Sequence, residues 1–128
     1  MKRMTKAQRA QQIIDLLAKS WDVQTVKVMV TSSMGRNVAG LYHHRVYGAF
    51  KATNLQHTTF RWFSSEPRID VRQQGDIDTL LHEFTHHLVA SWELCQPDPH
   101  GHLFWQVYDD VYREYRRIPN HVELSDAY

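Results

Sequence analysis

Three stretches of this chain repeat their apolar residues at helical spacing, and the stretch between the first two alternates instead. Ala10, Ile13, Ile14 and Leu17, with Trp21 continuing the stripe, fall on one face of a helix. Ahead of them Thr5-Lys6-Ala7-Gln8 has the form of a capping box, so a helix is expected over residues 5–21. Val26, Val28 and Val30 then alternate with Lys27, Met29 and Thr31, the period of a half-buried strand. Residues 38–42, 46–50, 58–63 and 68–71 read as further short strands, separated by turn-forming residues such as Gly35 and Asn37. The β-rich part therefore covers residues 25–72.

The second helical stripe is the clearest. Ile77, Leu81, Phe84, Leu88 and Trp92 follow one another at steps of three or four. Asp76 suits the N-cap and Asp78 the first turn, where the helix dipole favours negative charge. The helix is expected over residues 76–95, ending before Pro97 and Pro99. A last helix over residues 101–117 carries Phe104, Val107, Tyr108, Val111 and Tyr115, and Pro119 stops it. The polar tail 121–128 is expected to be loosely held. One helix, several strands and two helices predict a single α+β domain, with a small twisted sheet packed against the helices.

Composition narrows the class. The 128 residues suit one domain and one hydrophobic core. A net charge of +1 gives no field that implies nucleic acid or membrane binding. The single cysteine, Cys95, permits no intrachain disulfide, and it reads as a buried, inert residue. The basic start has no apolar run behind it, and no stretch is apolar enough to cross a bilayer. The expected location is the cytoplasm, with no membrane contact.

Nine histidines are the unusual count, and two of them bear on chemistry. His82-Glu83-Phe84-Thr85-His86 lies within the second helix, off its apolar stripe. Residues four apart on a helix face the same way, so both imidazoles can reach one metal ion. Glu83 stands beside them, placed to take a proton from a water that the metal acidifies. A catalytic zinc has three protein ligands and one open position, so a third ligand is required. Val89 and Trp92 stand where a metzincin has its glycine and third histidine, which excludes that class. Asp98, Asp109, Asp110 and Glu114 are possible carboxylate ligands, and Glu93 is too near on the same helix. His100-Gly101-His102-Leu103-Phe104-Trp105 is better placed, at the start of the last helix.

HEFTHHL followed by HGHLFW resembles the SprT-like and WLM-type zinc peptidase domains. Their pattern is HExxH, a variable loop, then a histidine followed by Gly or Ser, two residues and an aromatic. The resemblance covers residues 76–106; upstream it extends only to the order of helix, strands and motif helix. It implies a zincin-like fold and a zinc metalloendopeptidase. It assigns His82, His86 and His100 as Zn2+ ligands and Glu83 as the base. His102 is a competing ligand two residues on, but it would point differently once the helix begins.

The remaining histidines carry weaker signals. His87 is expected as a packed or supporting residue. His43 and His44 could line the cleft or steady an oxyanion, surface positions being the plainer reading. Tyr42, Tyr108 and Tyr112 could donate to a tetrahedral intermediate, core packing being the plainer reading. A protein or peptide substrate would pair with an edge strand, either 69–71 or 58–63. DNA-associated proteins are a further candidate partner, through the resemblance alone. The rival reading is a non-catalytic zinc-binding domain acting in protein or DNA interaction, its fourth position closed by Asp98 or His102.

Overall fold

The computed structural model describes residues 4–31, 39–43, 46–53, 58–73, 75–92 and 100–118, the strands at 46–53 and 58–65 by their backbone. Helix α1 spans Lys6–Ser20 and begins with the expected capping box. The Gln8 amide donates to Thr5 Oγ1 at 3.1 Å and the Thr5 amide to Gln8 Oε1 at 2.9 Å. Its stripe of Ala10, Ile13, Ile14 and Leu17 is fully buried. Gln11 pins the helix to the next strand, donating to Val26 O and accepting from the Val28 amide.

Strands β1 (Lys27–Thr31), β2 (Gly40–His43) and β5 (Arg68–Arg72) form one sheet in the order β1-β5-β2. β1 lies parallel to β5 and β2 antiparallel to it. Strands β3 (Val46–Thr53) and β4 (Thr58–Ser65) pair antiparallel as a separate hairpin. The expected strands are therefore all present, but residues 69–71 are central rather than at an edge. Parallel pairing on one side and antiparallel pairing on the other occupy both hydrogen-bonding edges of that strand. The edge nearest the motif helix is β2.

Helix α2 (Ile77–Ser91) follows β5 after a short turn, and α3 (His102–Arg117) packs on α2. Asp76 caps α2, accepting from the Thr79 amide at 2.9 Å. Leu80, Leu81, Phe84 and Leu88 are buried against Ile69, Val71 and the α1 stripe, with Val107, Val111 and Tyr115 of α3 closing the core. Two stripe residues fall short of burial: Ile77 is half-buried and Trp92 is exposed, because each lies at a helix end. Helix α2 ends at Ser91 with Trp92 as its C-cap, a turn short of the expected end at 93–95, the Trp92 amide closing on Leu88 O. His44, His57, Cys95, Asp98 and the tail from 119 lie outside the described residues. No helix among the described residues is long and apolar enough to cross a membrane. The architecture is a small α+β fold with a three-stranded mixed sheet and three helices.

Candidate metal centre

Amphipathic phasing of α2 places the motif. Leu81, Phe84 and Leu88 turn into the core, so His82 and His86 project together from the side that faces α3. Gly101 starts α3 as its N-cap, and His100 just before it swings back over α2. His100 Nε2 lies 3.2 Å from His82 Nε2 and 3.0 Å from His86 Nε2. All three ligand atoms lie within 4.8 Å of one another.

That geometry fits a metal ion. Zinc–nitrogen bonds of about 2.0–2.1 Å at tetrahedral angles separate two ligand nitrogens by roughly 3.3 Å. The separations of 3.2 and 3.0 Å differ from this by only a few tenths of an ångström. Hydrogen bonding accounts for the cluster less well. His100 Nε2 carries at most one proton, so it can donate to only one of the two nitrogens that face it. A cation satisfies all three lone pairs at once.

His102 does not join the cluster: it accepts from Gln106 Nε2 at 2.9 Å, one turn along α3. Asp109, Asp110 and Glu114 likewise lie outside the group of residues able to share an ion. Phe104, fully buried, forms the floor beneath the imidazoles. Its ring centroid is 4.9 Å from that of His82, 4.6 Å from His86 and 5.1 Å from His100. Phe104 was legible as an apolar position of α3, but its contact with three imidazoles at once depends on the α2–α3 packing.

Electrostatics follow from burial. His86 is lowered from 6.5 to about 4, by burial first and then by the neighbouring imidazoles His82 and His100. His82 is lowered for the same reasons, burial being the larger and His100 the other. Both rings are thus held neutral, the state a ligand needs. Glu83 keeps 7% of its surface exposed, and burial pushes its carboxyl from 4.5 up to about 7.

Two clefts meet at these residues. One of about 350 Å³ is lined by Gly40, Leu41, Tyr42, His82, Glu83, His86 and His100. The other, of about 580 Å³, shares Gly40, Leu41, His82 and Glu83 and extends past Ala39, Asp76, Asp78, Thr79, Trp105 and Tyr108. The edge strand β2 borders both. The Arg72 amide donates to Ala39 O at 3.2 Å, so Ala39 and Leu41 turn their backbone groups towards β5. Gly40, the alternate residue, directs its own away from β5, along the edge of β2 that pairs with no other described strand.

His87 turns inward and is buried, as a packed histidine should be. Its Nε2 donates to Gln24 O at 2.7 Å, which leaves Nδ1 to accept from the Tyr42 hydroxyl at 3.1 Å. Tyr42 is thereby committed as a donor to His87, and burial raises its hydroxyl to about 12. This arrangement ties β2 to α2 and removes Tyr42 from the candidate oxyanion donors. His43 pairs with Asp70 at 2.9 Å beside Arg68, and strand alternation puts it on the face opposite Gly40 and Tyr42. It lines neither of the two clefts. Tyr108 lines the larger one, and its hydroxyl is raised by burial first, then by Asp78, Tyr112, Asp76 and Asp109.

No protein-family model, curated protein or solved structure matches this chain. The class defined by the coordinates is thus a small α+β domain with a three-histidine site able to hold a metal ion.

Proposed function

We propose that the domain is a zinc-dependent metallopeptidase, with His82, His86 and His100 as ligands and Glu83 as the catalytic base. The observation that carries this reading is one cleft holding three convergent imidazoles and a buried carboxyl beside β2, an edge strand among the described residues. When bound, zinc supplies a Lewis acid that polarises a carbonyl and acidifies water at neutral pH.

The chain's own residues supply the rest. The backbone N–H and C=O of Gly40 face the cleft side of the β2 edge, where an extended peptide would add to the sheet as a further strand. That placement brings a peptide carbonyl across the mouth of the three-histidine cleft. Glu83, with a pKa near 7, can take a proton from the attacking water and hold it. The same carboxyl can then deliver that proton to the leaving amine. Phe104 excludes water from beneath the ligands and keeps their rings in place.

Glu83→Gln separates an enzyme from a non-catalytic zinc domain. The amide keeps the size of the side chain and cannot accept the proton. The variant should retain zinc and lose roughly 10²- to 10⁴-fold in kcat on an unstructured peptide. Equal cleavage by the variant and the parent would remove Glu83 from the mechanism.

A further inference from the structure

Gly40 is the only glycine of the described strand that borders both clefts, and its backbone does not explain it. Among the described residues no glycine has a positive φ, so an L-residue could adopt this conformation. A glycine inside a strand costs roughly 0.5–1 kcal/mol relative to alanine, and commonly marks a close approach of another group. The close approach here is helix α2. A methyl group at position 40 would lie 2.8 Å from Thr79 Cγ2, 3.1 Å from Glu83 Cγ and 3.3 Å from Asp70 O.

We propose that Gly40 is a positioning residue, its missing side chain letting β2 lie against α2 so that strand and Thr79 together fix the Glu83 side chain. This rests on the reading of Glu83 as the base. Thr79 and Glu83 are one turn apart on α2, so both face the strand. Thr79 cannot rotate aside freely, because its Oγ1 donates to Asp76 Oδ1 at 2.9 Å and the same oxygen caps the helix. That bond holds Cγ2 towards Gly40. Asp70 O belongs to the central strand and is equally fixed. The group left to move is Glu83, and Cγ is the atom that sets where its carboxyl points. His82 and His86 turn towards His100 on the α3 side and are not touched.

Gly40→Ala in the zinc-loaded full chain tests this. Zinc affinity, read by chelator competition, and KM on a quenched fluorescent peptide should each stay within about three-fold of the parent. The value of kcat should fall roughly 10- to 100-fold, the scale of a misplaced catalytic group. Thr79→Ser deletes Cγ2 while keeping the hydroxyl bonded to Asp76. The double variant Gly40→Ala/Thr79→Ser should therefore recover most of the loss. It trades one methyl across the interface, so it should fold even where the single variant does not. In a Glu83→Gln background Gly40→Ala should change kcat by less than about two-fold, because residues that act as a unit are not additive.

An equal loss in the Glu83→Gln background would overturn the proposal. So would a parallel loss of zinc affinity, no recovery on adding Thr79→Ser, or a double variant that does not fold. If Glu83→Gln cleaves as well as the parent, the base assignment fails, and crystal structures of the parent and Gly40→Ala decide the positioning separately. A Glu83 Cγ displaced by a few tenths of an ångström or more relative to α2 supports it. An unmoved Glu83 ends it.

Discussion

Acidification from pH 7 to pH 5 sets protons against the metal at the three histidines, and burial decides how well the site resists. A ligand imidazole must be neutral. At pH 5 a histidine with the ordinary value near 6.5 is neutral in about 3% of molecules and costs the site roughly 30-fold in affinity. Three such ligands would cost about 3 × 10⁴-fold on the same arithmetic. His86 is held down to about 4, so roughly nine in ten copies remain neutral at pH 5. That removes one factor of about 30 and leaves a loss of at most roughly 10³-fold. The lowering of His82 reduces it further. Affinity still falls with pH, but the His86 contribution is lost near 4 rather than near 6.5. Competition against a chromophoric zinc chelator, corrected for the chelator's own protonation, measures this directly. Between pH 6 and pH 5 the slope of log Kd against pH should be below about two. A slope approaching three, with a loss near 3 × 10⁴-fold, would show three freely solvated imidazoles and refute the reasoning.

Three more outcomes follow from the same residues. In the metal-free protein Glu83 has a folded value of about 7 above its ordinary 4.5, so its stabilising effect is complete below 4.5 and lost as pH rises through 7. Glu83→Gln should therefore raise the thermal midpoint at pH 8 and not at pH 4, and a difference independent of pH would contradict the burial argument. Phe104→Ala removes the floor under all three ligands; unfolding in urea should show a loss of about 3–5 kcal/mol, and unchanged zinc affinity would deny the ring its supporting role. The larger cleft is lined by Asp76, Asp78 and Glu83 and by no lysine or arginine. Peptides with a lysine near the scissile bond should be cleaved about three- to five-fold faster than norleucine counterparts, and Asp78→Lys should abolish that preference; equal rates in the parent would refute it.

Local signals carried most of the elements. The capping box at Thr5 and Gln8, the N-cap at Asp76 and the stripes of α1, α2 and α3 each depend on neighbours within one or two turns, and the structure reproduces them. The two motif histidines were equally legible, because helical spacing alone puts them on one side. His100 required a resemblance to be singled out, since its approach to α2 comes from outside the motif helix and no helical spacing fixes it. Strand order was not legible: residues 68–71 have the composition of an edge or a centre, and only the pairing of β5 with both β1 and β2 decides. Gly40 and the Tyr42–His87 bond were missed for the same reason. Both arise where β2 meets α2, some forty positions away in sequence, and no periodicity within either segment records that contact.

The most direct test is anomalous diffraction at the zinc edge from crystals of protein purified without chelator. One peak should lie within bonding distance of the Nε2 atoms of His82, His86 and His100, with its remaining position open towards Glu83 and the β2 edge. No peak there, or an ion whose fourth position is closed by another side chain, would contradict the assignment of this cleft as a peptidase centre.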